Sequence, residues 1–229
     1  MTNSNLPSRI LENQLLTKDS SILVIGYNEA LLNFLPDEYT TIDPSISKIK
    51  MAPSKHPKGS FQTQNLETFS LNRTFSKILS MNTLHLAKNL DRILQQIEKH
   101  LEEEAILYFP LAPNPLIEKF LLEEKWEEGQ KAPPLFQKRS RTEVEDAVLA
   151  APFESVMIEE VEEHQNFYSE SMVIPYLIAQ LSNLTNLTDD ALHDCAAELK
   201  EVLYRGQNKD EVLTISSPWI LLTLSNDLT

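Results

Sequence analysis

Ser21 to Gly26 reads SILVIG, an unbroken apolar run that stops at a glycine. No polar residue alternates with the apolar ones, so the run predicts a strand buried on both faces of a parallel sheet rather than a half-exposed strand. Working outward, Glu29 to Leu35 (EALLNFL) predicts a short helix closed by Pro36, and Tyr39 to Asp43 (YTTID) a second strand rich in β-branched residues that ends at Asp43-Pro44. Phe61 to Thr63 predicts a third strand and Phe75 to Ser80 (FSKILS) a fourth. Asn89 to Leu101 places Leu90, Ile93, Leu94, Ile97 and Leu101 at helical spacing behind an Asn cap, the pattern of an amphipathic helix. Ala105 to Phe109 (AILYF) is a fifth strand stopped by Pro110. Strands alternating with helices in this order argue for a parallel sheet with helices on both faces.

The second half is organised differently. Leu116 to Trp126 and Thr142 to Ala150 predict helices, the latter opened by a capping box of Thr142 and Glu145. Ser155 to Glu162 alternates as a strand. Glu170 to Leu181 and Asp189 to Tyr204 are helical, the second behind Thr188 with acids in its first turn. Val212 to Ile215 and Trp219 to Leu224 supply the last strand or strands. The fold class expected is a Rossmann-like, mostly parallel α/β sheet of about seven strands. Residues 1–229 form a single domain in this reading, with a helical insertion over 165–208 before the final strand.

Composition narrows the function classes. The chain has 229 residues, 41% of them hydrophobic and 24% charged, and carries a formal net charge of -14. Such an acidic exterior repels phosphate backbones and anionic lipid, so neither nucleic acid nor membrane is expected as a partner. A single cysteine, Cys195, excludes an intramolecular disulfide framework and suits a reducing compartment, and with a polar start at Met1 to Arg9 a cytoplasmic address is expected. His193 and Cys195 lie two apart on a predicted helix and do not share a face, which argues against a metal site. Two basic stretches interrupt the acidity: Lys48 to Lys58, which reads as a loop, and Lys138, Arg139 and Arg141. Either is a solvated loop or a receiver of an anionic group.

Over nearly the whole chain, from about Ser21 to Leu224, the order of elements and several strings together resemble the class I S-adenosylmethionine (SAM) methyltransferases, in particular the small-molecule branch that includes trans-aconitate methyltransferase. Ile22-Leu23-Val24-Ile25-Gly26 stands where that family has its first strand and Gly-rich turn, and Thr41-Ile42-Asp43-Pro44-Ser45 where it has an acid at the end of strand two. Asn65-Leu66-Glu67 looks like the segment along the adenine. Phe75 to Leu86 is similar to the fourth strand and its following loop, and Phe167-Tyr168-Ser169 to the start of the tail.

The resemblance implies SAM as cofactor and a small-molecule acceptor. Gly26, Tyr27, Asn28, Asp43, Asn65, Leu66 and Ser80 would line the cofactor, with Asp43 accepting from the ribose hydroxyls; an Asp that merely starts a turn before Pro44 is the competing reading. His85 would orient or deprotonate an acceptor, or simply pack at a helix start. Arg139 and Arg141 would clamp an acceptor carboxylate. The sequence also departs from the family pattern. Gly26-Tyr27-Asn28-Glu29-Ala30 replaces Gly-x-Gly-x-Gly, although Asn28 tolerates a left-handed backbone and Ala30 is small. Glu29 favours the positive end of SAM or caps the helix. Lys77 replaces an acid, Asn65 an Asp, and Glu103 and Glu104 two glycines. Two readings therefore stand: a methyltransferase of a small acceptor such as a carboxylate, which is already ionised and requires no general base, or a catalytically inactive member serving a protein partner as an interaction or regulatory module. The Tyr27 ring separates them, since folded into the cofactor site it closes the pocket.

Overall fold

The computed structural model describes residues 21–36, 38–121, 136–185, 187–205 and 212–226. β1 (Ile22–Ile25) is buried at all four positions. Then come α1 (Glu29–Leu32), β2 (Tyr39–Asp43), α2 (Ile46–Lys55), β3 (Ser60–Thr63) and β4 (Phe75–Met81). After a single 3-10 turn at Leu84–Leu86 follow α3 (Leu90–His100), β5 (Leu101–Pro110), α4 (Pro115–Leu121) and α5 (Arg141–Leu149). β6 (Ser155–Phe167), α6 (Glu170–Leu184), α7 (Asp189–Leu203) and β7 (Leu213–Ser225) complete the chain.

The strands form one mostly parallel sheet in the order β3-β2-β1-β4-β5-β7-β6. β1 pairs in parallel with β2 and β4, so it is the central strand of the first half and has no face left for polar side chains. This is the Rossmann-like α/β fold that the apolar blocks predict. Among the described residues no helix is long and apolar enough to cross a membrane.

Several elements differ from the sequence reading. Lys48 to Lys58 is not a loop: most of it is α2, whose N-cap Ser45 accepts from the Lys48 amide and which buries Ile49 and Ala52 one turn apart. Pro53 sits in the last turn, where it forgoes the bond to the Ile49 carbonyl, and with the lysines around it disguises the helix. α1 is a single turn that ends before Pro36. β5 begins at Leu101 rather than Ala105, because the three acids Glu102, Glu103 and Glu104 lie in an exposed to half-buried strand start. β7 is one strand that continues through Ser216-Ser217-Pro218. The predicted capping box is also not formed as such: α5 starts at Arg141, and Glu145 pairs with the Arg141 guanidinium at 2.6 Å, one turn away.

The described residues fall into two compact units, one of residues up to Phe109 with Arg141–Glu159 and from Ile220 onward, the other of Pro110–Ser140 and Glu160–Trp219. In the first unit the end of β7 is tied back by Asn226, whose amide N–H donates to Glu103 O at 3.0 Å and whose side chain donates to Leu101 O at 3.1 Å. The second unit has its own core, in which Ile117 and Phe120 of α4 meet Val173 and Leu177 of α6 and Cys195 and Leu199 of α7. Both helices are amphipathic, and α7 is started by Thr188, whose side chain accepts from the Ala191 amide as the sequence predicts.

Lys77, Glu103 and Glu104, three residues that depart from the family pattern, are brought together. Lys77 Nζ lies 3.3 Å from Glu103 and 3.4 Å from Glu104, across the β4–β5 pair in which Lys77 is in register with Glu104. The cluster stands toward the N-terminal ends of these strands, and the lysine attracts both of two acids that would otherwise only repel each other. We expect Lys77→Ala to cost roughly 1–2 kcal/mol, between the surface and buried ranges for ion pairs. The same change in a Glu103→Gln/Glu104→Gln background should cost clearly less, which urea unfolding of the four proteins measures.

In the second unit the Tyr176 ring tilts against Phe167 with centroids 4.9 Å apart. Burial, with a smaller push from Glu163, raises its phenol to about 12. A raised folded-state value means the folded chain holds its proton more tightly than the unfolded one, so the contribution is complete below pH 10 and is lost as pH rises toward 12. Stability should fall by roughly 2–3 kcal/mol over that window beyond any general alkaline loss. Denaturant unfolding at pH 9 and pH 12 should show the excess in the natural chain and not in Tyr176→Phe.

Candidate functional site

The strand order reverses direction between β1 and β4: from β1 the chain moves outward to β2 and β3, and from β4 to β5 on the other side. In open α/β sheets the crevice outside the C-terminal strand ends at such a reversal is where ligands bind. Gly26 follows β1 there, Asp43 ends β2, and Ser80 lies next to the end of β4, in register with Ile25.

Gly26 is held in a left-handed conformation at φ +92, and its amide donates to Ile42 O at 2.7 Å. Its lack of a side chain has a specific use. A Cβ at this position would stand 1.9 Å from Thr83 Oγ1 and 2.6 Å from Thr83 Cβ, so the loop after β4 rests directly on the glycine. That loop is shaped by Asn82, also left-handed at φ 54, whose amide donates to Tyr108 O at 2.8 Å.

Asp43 is buried, at 3% exposure, and each carboxylate oxygen accepts a main-chain amide: Oδ2 from Tyr27 and Oδ1 from Ser45, both at 2.7 Å. Lys48 Nζ stands 4.0 Å from Oδ2. The carboxylate thus ties the turn after β1 to the turn after β2, and both bonds have the short length of charge-assisted ones. A carboxylate has about four acceptor positions, so the two bonds leave capacity for further donors. The Ser80 hydroxyl donates to Ile25 O at 2.9 Å, tying β4 to β1.

Asn28 is not left-handed. Its backbone is extended, at φ -131, and its side chain caps α1 by accepting from the Leu31 amide at 3.1 Å. An ordinary φ at this position explains why a non-glycine residue fits where the family pattern has its second glycine. Asn28 and not Glu29 caps α1; Glu29 takes the Lys55 ammonium at 2.7 Å, which holds the Glu29 carboxyl below its usual range and raises Lys55 above its own. The Tyr27 ring meets His56 edge-on, with centroids 6.1 Å apart, at the end of α2. Burial there, with Glu29 nearby, raises its phenol.

Asn65 is exposed and folds into a local turn, its side chain accepting from the Glu67 amide at 2.8 Å, while Leu66 is buried. His85 lies in the 3-10 turn after β4 and is buried, with 2% exposed. Arg139, in the second unit, donates from Nη1 to Gln137 O at 3.2 Å, and Arg141, in the first, is bonded to Glu145. Tyr27 and Asp43 are therefore joined directly, and Gly26 and Ser80 bond the adjoining strand residues Ile42 and Ile25, whereas Asn65 and the two arginines make contacts of their own.

Two residues escaped the sequence reading. Thr83 packs on Gly26, and nothing in the string Asn82-Thr83-Leu84 marks it. Glu67 Oε1 accepts from the Lys88 and Asn89 amides at 2.7 and 3.1 Å, joining the segment after β3 to the start of α3. Glu67 closes the quoted Asn65-Leu66-Glu67 segment, but with no role of its own assigned there, and its acidity is the one signal that points to it.

No protein-family model matches the chain, and no curated protein matches it in sequence. Solved structures match it in fold. A candidate methyltransferase of Bacillus halodurans superposes with a TM-score of 0.63 at 12% identity over 96% of this chain and 98% of its own. The YcgJ protein of Bacillus subtilis gives 0.60 at 12% over 97% and 98%. A phosphoethanolamine N-methyltransferase of Haemonchus contortus, solved with phosphomonomethylethanolamine and S-adenosylhomocysteine, gives 0.56 at 11% over 97% of this chain and 53% of its own. The fold is that of the class I methyltransferases.

Gly26→Ala should destabilise the chain by at least about 2 kcal/mol, from the left-handed strain together with the collision. Adding Thr83→Gly, which removes Oγ1, Cβ and Cγ2 together, should recover the part due to the collision, and thermal unfolding of the two single variants and the double variant separates the two.

Proposed function

We propose that this chain is a SAM-dependent methyltransferase of a small-molecule acceptor. The observation that carries the reading is the group formed by Gly26, Tyr27, Asp43 and Ser80 at the C-terminal strand ends of a methyltransferase-type sheet, where a left-handed turn faces a buried carboxylate. Asp43 would accept from the ribose hydroxyls with its remaining lone pairs, and Asn65 and Leu66 would lie along the adenine. When bound, SAM supplies an electrophilic methyl group on a sulfonium. The chain's part is to bind, orient and exclude water, because in-line displacement depends chiefly on alignment.

On the acceptor side, His85 would orient or deprotonate the nucleophile and Arg139 and Arg141 would hold an anionic acceptor. A carboxylate acceptor, as in the trans-aconitate branch, is already ionised and would need His85 only for orientation; this choice of acceptor rests on the sequence resemblance. A reducing, cytoplasmic setting fits the lone buried Cys195. That Lys77, Glu103 and Glu104 satisfy one another on the sheet gives these departures a structural reason, so they do not argue for inactivity.

A second reading, an inactive member that acts through a protein partner, is favoured by one observation: Thr83 occupies the approach to Gly26 while both Asp43 oxygens already hold main-chain amides.

Calorimetric titration with SAM and with S-adenosylhomocysteine decides between them. Saturable heat is expected for the natural chain, with Asp43→Ala at least about tenfold weaker, a loss of 1.4 kcal/mol or more. Circular dichroism should confirm that the variant is folded at the titration temperature. No heat with the natural chain, or equal affinity in the variant, overturns the assignment.

A further inference from the structure

The connection between β3 and β4, residues 64–74, contains no helix. Parallel strands are usually joined by a helical crossover that covers the sheet. Here a loop does so, and it leaves a cleft of about 280 Å³ whose lining includes Thr40, Gln62, Ser70, Asn72, Arg73 and Phe75. That volume is near the lower end for small-molecule sites, about 300 Å³. Thr40 is the second residue of β2 and Phe75 the first of β4, so the cleft lies toward the N-terminal strand ends, away from Gly26 and Asp43.

Arg73 is held at two points. Nη2 donates to Thr40 Oγ1 at 2.6 Å, and the guanidinium carbon lies 4.6 Å from the centre of the Phe75 ring. Stacking and a hydrogen bond fix the plane of the group while most of its five N–H donors stay unspent. Among the described residues no carboxylate pairs with it; Glu102, on the neighbouring strand, takes the Thr74 hydroxyl instead. The cleft lining holds no acid in a chain of net charge -14. The loop itself is anchored by His100, which accepts from the Leu71 amide at 3.0 Å while its other ring nitrogen bonds Gln96 O at 2.9 Å. Nε2 also lies 3.2 Å from Leu71 O, so one ring meets both main-chain polar groups of Leu71.

We propose that this cleft is a second binding site, separate from the cofactor crevice, for a small molecule bearing a carboxylate or phosphate. Arg73 anchors the oxyanion and Gln62, Ser70 and Asn72 bond its remaining oxygens. The loop, pinned by His100 and by the Arg73 contacts, is preorganised, so little ordering opposes binding.

The test is an NMR titration of the full chain, following backbone amides with sodium malonate and with inorganic phosphate as probes. Saturable shifts at Gln62, Ser70 and Asn72 are expected for at least one anion, and the tighter one shows whether the natural ligand is a carboxylate or a phosphate. Arg73→Gln should weaken binding at least about tenfold. Arg73→Lys, which keeps the charge without the stacked plane, should fall between. Arg73 is exposed, so neither change opens the core. SAM should leave the anion affinity unchanged, which separates failure here from failure of the methyltransferase reading. Shifts that do not saturate by about 10 mM, ten times a weak 1 mM Kd, overturn the site, as does equal binding by Arg73→Gln.

Discussion

The Asp43 carboxylate is the constraint on which the rest of the candidate site depends. It sits in the interior, where an ionised group is costly unless hydrogen-bonded, and the amides of Tyr27 and Ser45 meet that requirement. In doing so they fix the turn after β1 and the start of α2 at once. The direction of α1, the left-handed backbone of Gly26 and the approach of Thr83 all follow from where that turn is pinned. A single acid therefore joins two neighbouring βα units before any ligand is considered, and this internal duty accounts for the residue as fully as a cofactor would.

The strands were legible where burial is complete. SILVI, YTTID and AILYF are apolar or β-branched throughout because the strands lie inside a covered sheet, and α3 was legible because its apolar residues fall on one face. Legibility failed where charge or proline interrupts a regular element. α2 carries three lysines and Pro53 on a helix that buries only Ile49 and Ala52, too few apolar positions to show a period. The acids at the start of β5 hid four residues of strand, since their charge is met by Lys77 on another strand and not by anything local in sequence.

The site was legible in its anchors and not in its contacts. Gly26, Asp43 and Ser80 were placed by the rule that chemistry gathers at C-terminal strand ends. That Asp43 would hold two amides, that Asn28 would cap instead of turning left-handed, and that Thr83 would fill the space over Gly26 are long-range or conformational facts with no local signature. The altered Gly-x-Gly-x-Gly turn shows the same point from the other side: with α1 cut to one turn and Asn28 extended, only the first glycine is demanded by the backbone.

The Lys77, Glu103 and Glu104 cluster has a further consequence for ancestry. A lineage that exchanged Lys77 alone would leave Glu103 and Glu104 side by side with no cation between them, whereas either acid can be exchanged while the other keeps the lysine. Relatives of this chain should therefore exchange the lysine only together with its acids, and that linked change would mark true kin among sequences too divergent for ordinary similarity to connect.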